Sequence, residues 1–227
     1  MPDCFFSFQP FDAEIEKKLT SRDADSHELF AALSQRLRQA GMGEPDICQI
    51  ERLFNDFLIP MGAAPEEKRY LSHPIRVTAS FLSFFPSGLT SDQVTLGLCH
   101  NLKEKNAAAF QSMDDSFVSA AVKANIERLT IDRAREKDPV YLEKFYNRIQ
   151  EGPEELILLK ALDKLDNNFV WPLLDLEDYH AEIVLQQVCP RIAKKYPRLE
   201  KYLRELTHYV LEDSVKNKFR KNSGKAA

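Results

Sequence analysis

Three short stretches of the chain place side chains that can hold a metal ion or a phosphate inside apolar surroundings. In Tyr70-Leu71-Ser72-His73-Pro74-Ile75-Arg76-Val77 an imidazole opens a hydrophobic run and a guanidinium follows three residues later. Leu96-Gly97-Leu98-Cys99-His100-Asn101-Leu102-Lys103-Glu104 stays apolar until His100 and Asn101 stand together. Glu104 follows His100 at i+4, a spacing that sets both on one helix face. In Lys160-Ala161-Leu162-Asp163-Lys164-Leu165-Asp166-Asn167, Asp163 and Asn167 are also four apart, with Lys160 one turn earlier. That face carries a cation, a carboxylate and an amide. Burying such groups is costly unless each is paired or bound to metal. Each stretch also has a plainer reading. His73 caps a helix or packs in the core, and the helix dipole draws His100 to a C-terminus. Lys160 and Asp163 form a buried pair that fixes helix packing.

The elements around these stretches read as helices. The chain has 227 residues, 44% of them hydrophobic and 15 of them Phe, enough for a substantial core. Only 7 are Gly, too few for the tight turns of a many-stranded sandwich, so an all-α fold of eight to ten helices is expected. A helix is expected from Asp25 or Ser26 to Gly41, with Leu29, Phe30, Leu33 and Leu37 on its buried face. A second runs from Pro45 to Pro60-Met61-Gly62. A polar connector, residues 63–72, then leads to a helix with Pro74 in its first turn, ended by Pro86-Ser87-Gly88. Thr90-Ser91-Asp92 caps a helix over residues 91–105 that carries His100, Asn101 and Glu104, and Pro153-Glu154-Glu155 starts the one bearing Asp163. Helices over about 176–195 and 197–215 follow. The expected organisation is an N-terminal segment (1–24), one helical domain (25–215) and a basic flexible tail (216–227).

Charge and cysteine usage narrow the function. With 35 acidic and 31 basic residues the net charge is −4, which argues against a nucleic-acid binder. Cys4, Cys48, Cys99 and Cys189 are scattered without a CxxC pair, as free thiols of a reducing compartment are. The early Asp3 and the lack of a basic n-region do not suit a secretory leader, and no apolar run reaches the ~20 residues of a membrane span. A cytoplasmic protein with no membrane partner is expected; the sequence does not decide its oligomeric state.

Taken in order, HPIRV, the His100–Asn101 pair with Glu104, and KALDKLDN resemble the HD-domain metal-dependent phosphohydrolases. Among these the chain is most similar to the guanosine tetra- and pentaphosphate hydrolase branch, over about residues 48 to 180. That branch carries Y-[IL]-x-H-P-[IL]-x-V, L-x-H-D-x-x-E-D and K-[LA]-x-D-[KR]-x-x-N on helices of an all-α fold. The resemblance implies that His73, His100, Asn101 and Asp163 ligate a divalent ion such as Mn²⁺, or Zn²⁺ or another first-row ion. It implies that Glu104 orients or activates the attacking water and that Asn167 contacts the nucleotide ribose or the nucleophile. Arg76 and Lys160 would supply positive charge to the phosphates of a nucleotide or other small phosphorylated substrate.

Two positions depart from the pattern. Asn101 stands where the family has Asp, which leaves a neutral amide in place of a carboxylate. Lys105 replaces the second acid after Glu104. Asp166 returns one negative charge close by, as a group behind the ligands. The alternative implied is a catalytically degenerate module of the same fold that binds a nucleotide or a protein partner. His180 and His208 are expected to be surface or core residues rather than ligands.

Overall fold

Capping chemistry sets most helix starts. The computed structural model describes residues 6–22, 24–61, 68–85, 87–115, 117–173 and 179–222. Cys4, Gly62, Pro86 and the end of the expected tail (223–227) therefore lie outside the described residues. In order, the α-helices are α1 (Phe11–Arg22), α2 (Ser26–Gln39), α3 (Glu44–Arg52), α4 (Ile59–Met61) and α5 (Lys68–Leu82). Next come α6 (Ser91–Cys99), α7 (Leu102–Lys105), α8 (Ala107–Ser112), α9 (Ala120–Leu129) and α10 (Pro139–Gln150). The last are α11 (Glu155–Val170), α12 (Tyr179–Ile183), α13 (Cys189–Ile192), α14 (Pro197–Leu211) and α15 (Asp213–Asn222). No strand occurs among the described residues, and the fold is all-α.

The Asp25 carboxylate accepts from the His27 amide at 2.7 Å and starts α2. Gly41, at φ +93°, stops it in a conformation that suits glycine. Thr90 and Gln93 form a reciprocal capping box at the start of α6.

Four expectations are corrected. First, Pro74 is inside a helix. Residues 68–72, expected as connector, already belong to α5, because Lys, Arg and Leu are good helix formers whatever their polarity. Second, the helix expected over 45–62 is not uniform. Leu53–Leu58 is a π-helical turn between α3 and α4, and Val184–Val188 is another between α12 and α13. In each the last turn bonds five residues back, Ile59 N–H to Phe54 and Cys189 N–H to Val184. A proline, Pro60 or Pro190, comes immediately after that bond. Proline lacks the N–H and presses on the carbonyl four residues earlier, so the widened turn relieves it.

Third, α6 stops at Cys99, and Asn101 (φ −103°, ψ 1°) separates it from α7, so His100 and Glu104 do not share one continuous helix. Fourth, residues 216–222 of the expected flexible tail form part of α15, anchored by fully buried Phe219. α1, in the expected N-terminal segment, buries Ile15 together with Glu14 and Lys18.

The chain divides into two compact units, one of Met1–Ser7 with Thr20–Ile131 and one of Phe8–Leu19 with Asp132–Ala227. In the first, α5 packs between α2 and α6, and α6 also meets α3 and α9. Leu29, Leu33 and Leu37 of α2, Ile75, Val77 and Phe81 of α5, and Val94 and Leu98 of α6 are buried here. Each such side chain contributes roughly 1.5–3 kcal/mol. In the second unit α11 packs on α10, α13 and α14, and α14 on α15. Thirteen of the 16 residues of α11 are buried, so its polar side chains must find partners inside the protein. No helix among the described residues is long and apolar enough to cross a membrane.

Candidate metal centre

His73 lies within α5, half-buried, one turn before Arg76. Arg76 is almost wholly buried, and its Nη1 donates to the Ser72 hydroxyl at 3.1 Å. His100 follows the last residue of α6 and is buried at 2% exposure. Its Nδ1 is 2.7 Å from the Gly97 carbonyl oxygen. A carbonyl only accepts, so Nδ1 carries the proton and Nε2 keeps the lone pair that can bind a metal. This is the arrangement in which a backbone carbonyl fixes both tautomer and ring orientation. The His73 and His100 ring centroids are 5.3 Å apart.

On α11, Asp163 is buried and flanked within its own helix. The Lys160 ammonium is 3.0 Å from Asp163 Oδ2, and Asn167 Nδ2 donates to Oδ1 at 3.0 Å. The i−3 and i+4 spacing seen in the sequence thus closes into a charged, hydrogen-bonded triad. Lys160 also lies 6.0 Å from the centre of the Phe145 ring. Asp166, one turn further on, is buried at 2% exposure.

One ligand atom each from His73, His100 and Asp163 lies within 4.8 Å of the others, and this cluster could hold a metal ion. Two imidazoles and a carboxylate are the donors that first-row divalent ions prefer, and the identity of such an ion is left open by the donors alone. Burial pushes the neighbouring Cys99 thiol up to about 12, and Cys99 is not part of the cluster.

The other expected residues are placed as follows. Asn101 is half-buried at the break before α7. Glu104, also half-buried, accepts from the Ile131 amide at 3.1 Å through Oε1. That tie crosses 27 residues and has no local signature in the sequence. Lys105 is exposed, while Lys103 pairs with Glu127 at 2.8 Å. His208 is exposed, and the His180 ring lies tilted against Tyr179 with centroids 4.0 Å apart; the cluster comprises His73, His100 and Asp163. Gly97 was not among the candidate residues, yet its carbonyl orients His100. A cavity of about 440 Å³ bordered by Glu136, Lys137, Leu142, Tyr179 and Glu182 is lined by none of the expected site residues. No protein-family model matches the chain, and neither a curated protein nor a solved structure does.

Proposed function

We propose that the chain is a metal-dependent phosphohydrolase acting on a nucleotide, such as guanosine tetraphosphate, or on a related phosphorylated small molecule. The observation that carries this reading is the His73–His100–Asp163 cluster, formed by three motifs that resemble the HD-domain phosphohydrolases. His73, His100 and Asp163 would hold the ion, with Asn101 as a neutral oxygen donor. A bound divalent ion supplies a water of lowered pKa and offsets charge at phosphorus.

The remaining roles belong to side chains of the chain. His100 presents Nε2 because Nδ1–H is spent on Gly97. The Ile131 amide orients the Glu104 carboxylate, which would take the proton of the attacking water. Asn167 keeps the Asp163 carboxylate in one orientation. Arg76 and Lys160 place positive charge close to two of the ligands, where substrate phosphates would bind.

A second reading is favoured by one specific feature. Both Asp163 oxygens are already engaged, one by the Lys160 ammonium and one by Asn167, and Asn101 adds no charge. An ion must then share Asp163 with a lysine, which suits a module that binds nucleotide without turning it over.

Calorimetric titration of metal-stripped protein with Mn²⁺, followed by phosphate release from guanosine tetraphosphate and a nucleotide panel, separates the two. The enzyme reading expects one ion per chain and turnover, both lost in His73→Ala. Unchanged turnover in His73→Ala would overturn it. Nucleotide binding with neither ion nor turnover selects the second reading.

A further inference from the structure

We infer that Gly97 is a positioning residue for the histidine pair: only a residue without a side chain at this place lets α6 approach α5 closely enough for His100 to meet His73. The inference rests on helix packing; only its metal readout depends on the function proposed above.

A Cβ built on Gly97 would lie 2.5 Å from Thr78 Oγ1 and 3.2 Å from both Cβ and Cγ2 of Thr78. The first distance is far inside van der Waals contact. Thr78 cannot step aside. It is fully buried, its hydroxyl donates to the Pro74 carbonyl at 2.7 Å, and its Cβ, which no side-chain rotation moves, also lies 3.2 Å from the new methyl.

The two contacts between these helices are linked. From Gly97 to His100 is three residues forward along α6, and from Thr78 to His73 is five residues back along α5. The helices therefore run antiparallel, and the glycine contact sits within about one and a half turns of the imidazole pair on both. Restoring ordinary carbon–oxygen contact at Gly97 would push the helices apart locally by roughly 1 Å. Metal ligation tolerates deviations of only about 0.2 Å. The same glycine supplies the carbonyl that receives His100 Nδ1–H at 2.7 Å, so any shift of the α6 backbone here also turns the ring.

The test uses the full chain in four forms: wild type, Gly97→Ala, Thr78→Ala and the double variant. Two quantities are read, the nuclear Overhauser cross-peak between the ring protons of His73 and His100 in metal-free protein, and Mn²⁺ affinity by calorimetry. In Gly97→Ala the cross-peak is lost and affinity falls at least tenfold. Thr78→Ala alone keeps the cross-peak, and the double variant regains both readouts, because the space taken by the new methyl has been vacated. A Gly97→Ala protein that melts earlier but keeps the cross-peak would overturn the inference, leaving glycine a purely structural role. So would a double variant that refolds to wild-type stability without regaining the cross-peak. If wild type binds no ion, the metal-centre reading falls, and the cross-peaks still decide the role of Gly97.

Discussion

Asp163 and Asn168 lie five residues apart on α11, and they solve the problem of burial differently. Asn168 is buried at 1% exposure, and its amide donates to Thr207 Oγ1 of α14 at 2.7 Å; Thr207 in turn donates to the Leu203 carbonyl at 2.6 Å. That chain of bonds is neutral and ends on backbone. Asp163 is equally buried, but its partners Lys160 and Asn167 are on its own helix, and they are charged and polar. The first pair joins two helices and is explained once α11 packs on α14. The second is closed within α11 by the Lys160 and Asn167 bonds, and Lys160 also faces the Phe145 ring of α10. The second carries buried charge, and its carboxylate lies within 4.8 Å of two imidazoles. Charge, more than burial, separates the two.

The largest effect that would test this contrast is expected in Asp163→Ala. Removing one partner of a buried ion pair costs about 3–5 kcal/mol, so metal-stripped protein should lose that much stability in urea and bind no ion. Replacing both partners, Lys160→Met with Asp163→Leu, should recover most of the stability while ion binding stays absent. A double variant as unstable as Asp163→Ala would show that the triad is structural after all.

Next in size is Asn168→Ala, expected to cost about 1–3 kcal/mol because the Thr207 hydroxyl loses a buried donor. Ion affinity should not change. A drop in affinity would erase the distinction between the two pairs. Asn168→Leu combined with Thr207→Val should be close to neutral by the same reasoning.

The smallest effect concerns an exposed version of a helix-joining pair. Asp12 of α1 accepts from Tyr209 of α14 at 2.5 Å and from Lys218 of α15 at 2.6 Å. The Lys218 and then the Tyr209 hydrogen bond hold its carboxyl below the usual 3.8, against a smaller effect of burial. A lowered folded-state value means that the stabilisation is complete above the unfolded value and is lost as pH falls through the folded one. Asp12→Asn should therefore cost less than about 1 kcal/mol at neutral pH, as partly exposed pairs do, and nothing in strong acid. Denaturation midpoints of the two proteins measured from pH 7 down to pH 2 should converge below pH 4. Parallel curves would remove Asp12 from the contacts that hold α15.

How much of this was legible in the sequence depends on the range of the cause. Asp25, Thr90 and Gly41 act on atoms within a few residues, so α2 and α6 begin or end where their types indicate. The Lys160–Asp163–Asn167 face was legible for the same reason, since one helical turn defines it. Pro74 misled, because a rule about first turns says nothing of whether Lys68–Ser72 continue the helix upstream. α15 was hidden because its burial rests on Val215 and Phe219 amid many charges. The tie from Glu104 to the Ile131 amide and the contact of Gly97 with Thr78 depend on packing between distant residues. A glycine inside an apolar helix advertises a close approach without naming what approaches.

The two π-helical turns bear on how the chain can be compared with others. Each turn at Leu53–Leu58 and Val184–Val188 holds one residue more than an α-helical turn, so everything beyond it is rotated by about 100° relative to a regular helix. A sequence of the same fold with regular helices there would be one residue shorter at each place. Residues after 58 and after 188 would then match it only if a single-residue gap is opened inside a helix, where gaps are ordinarily penalised most. The length of the helix, rather than the kind of residue in it, is what such a comparison must allow to vary.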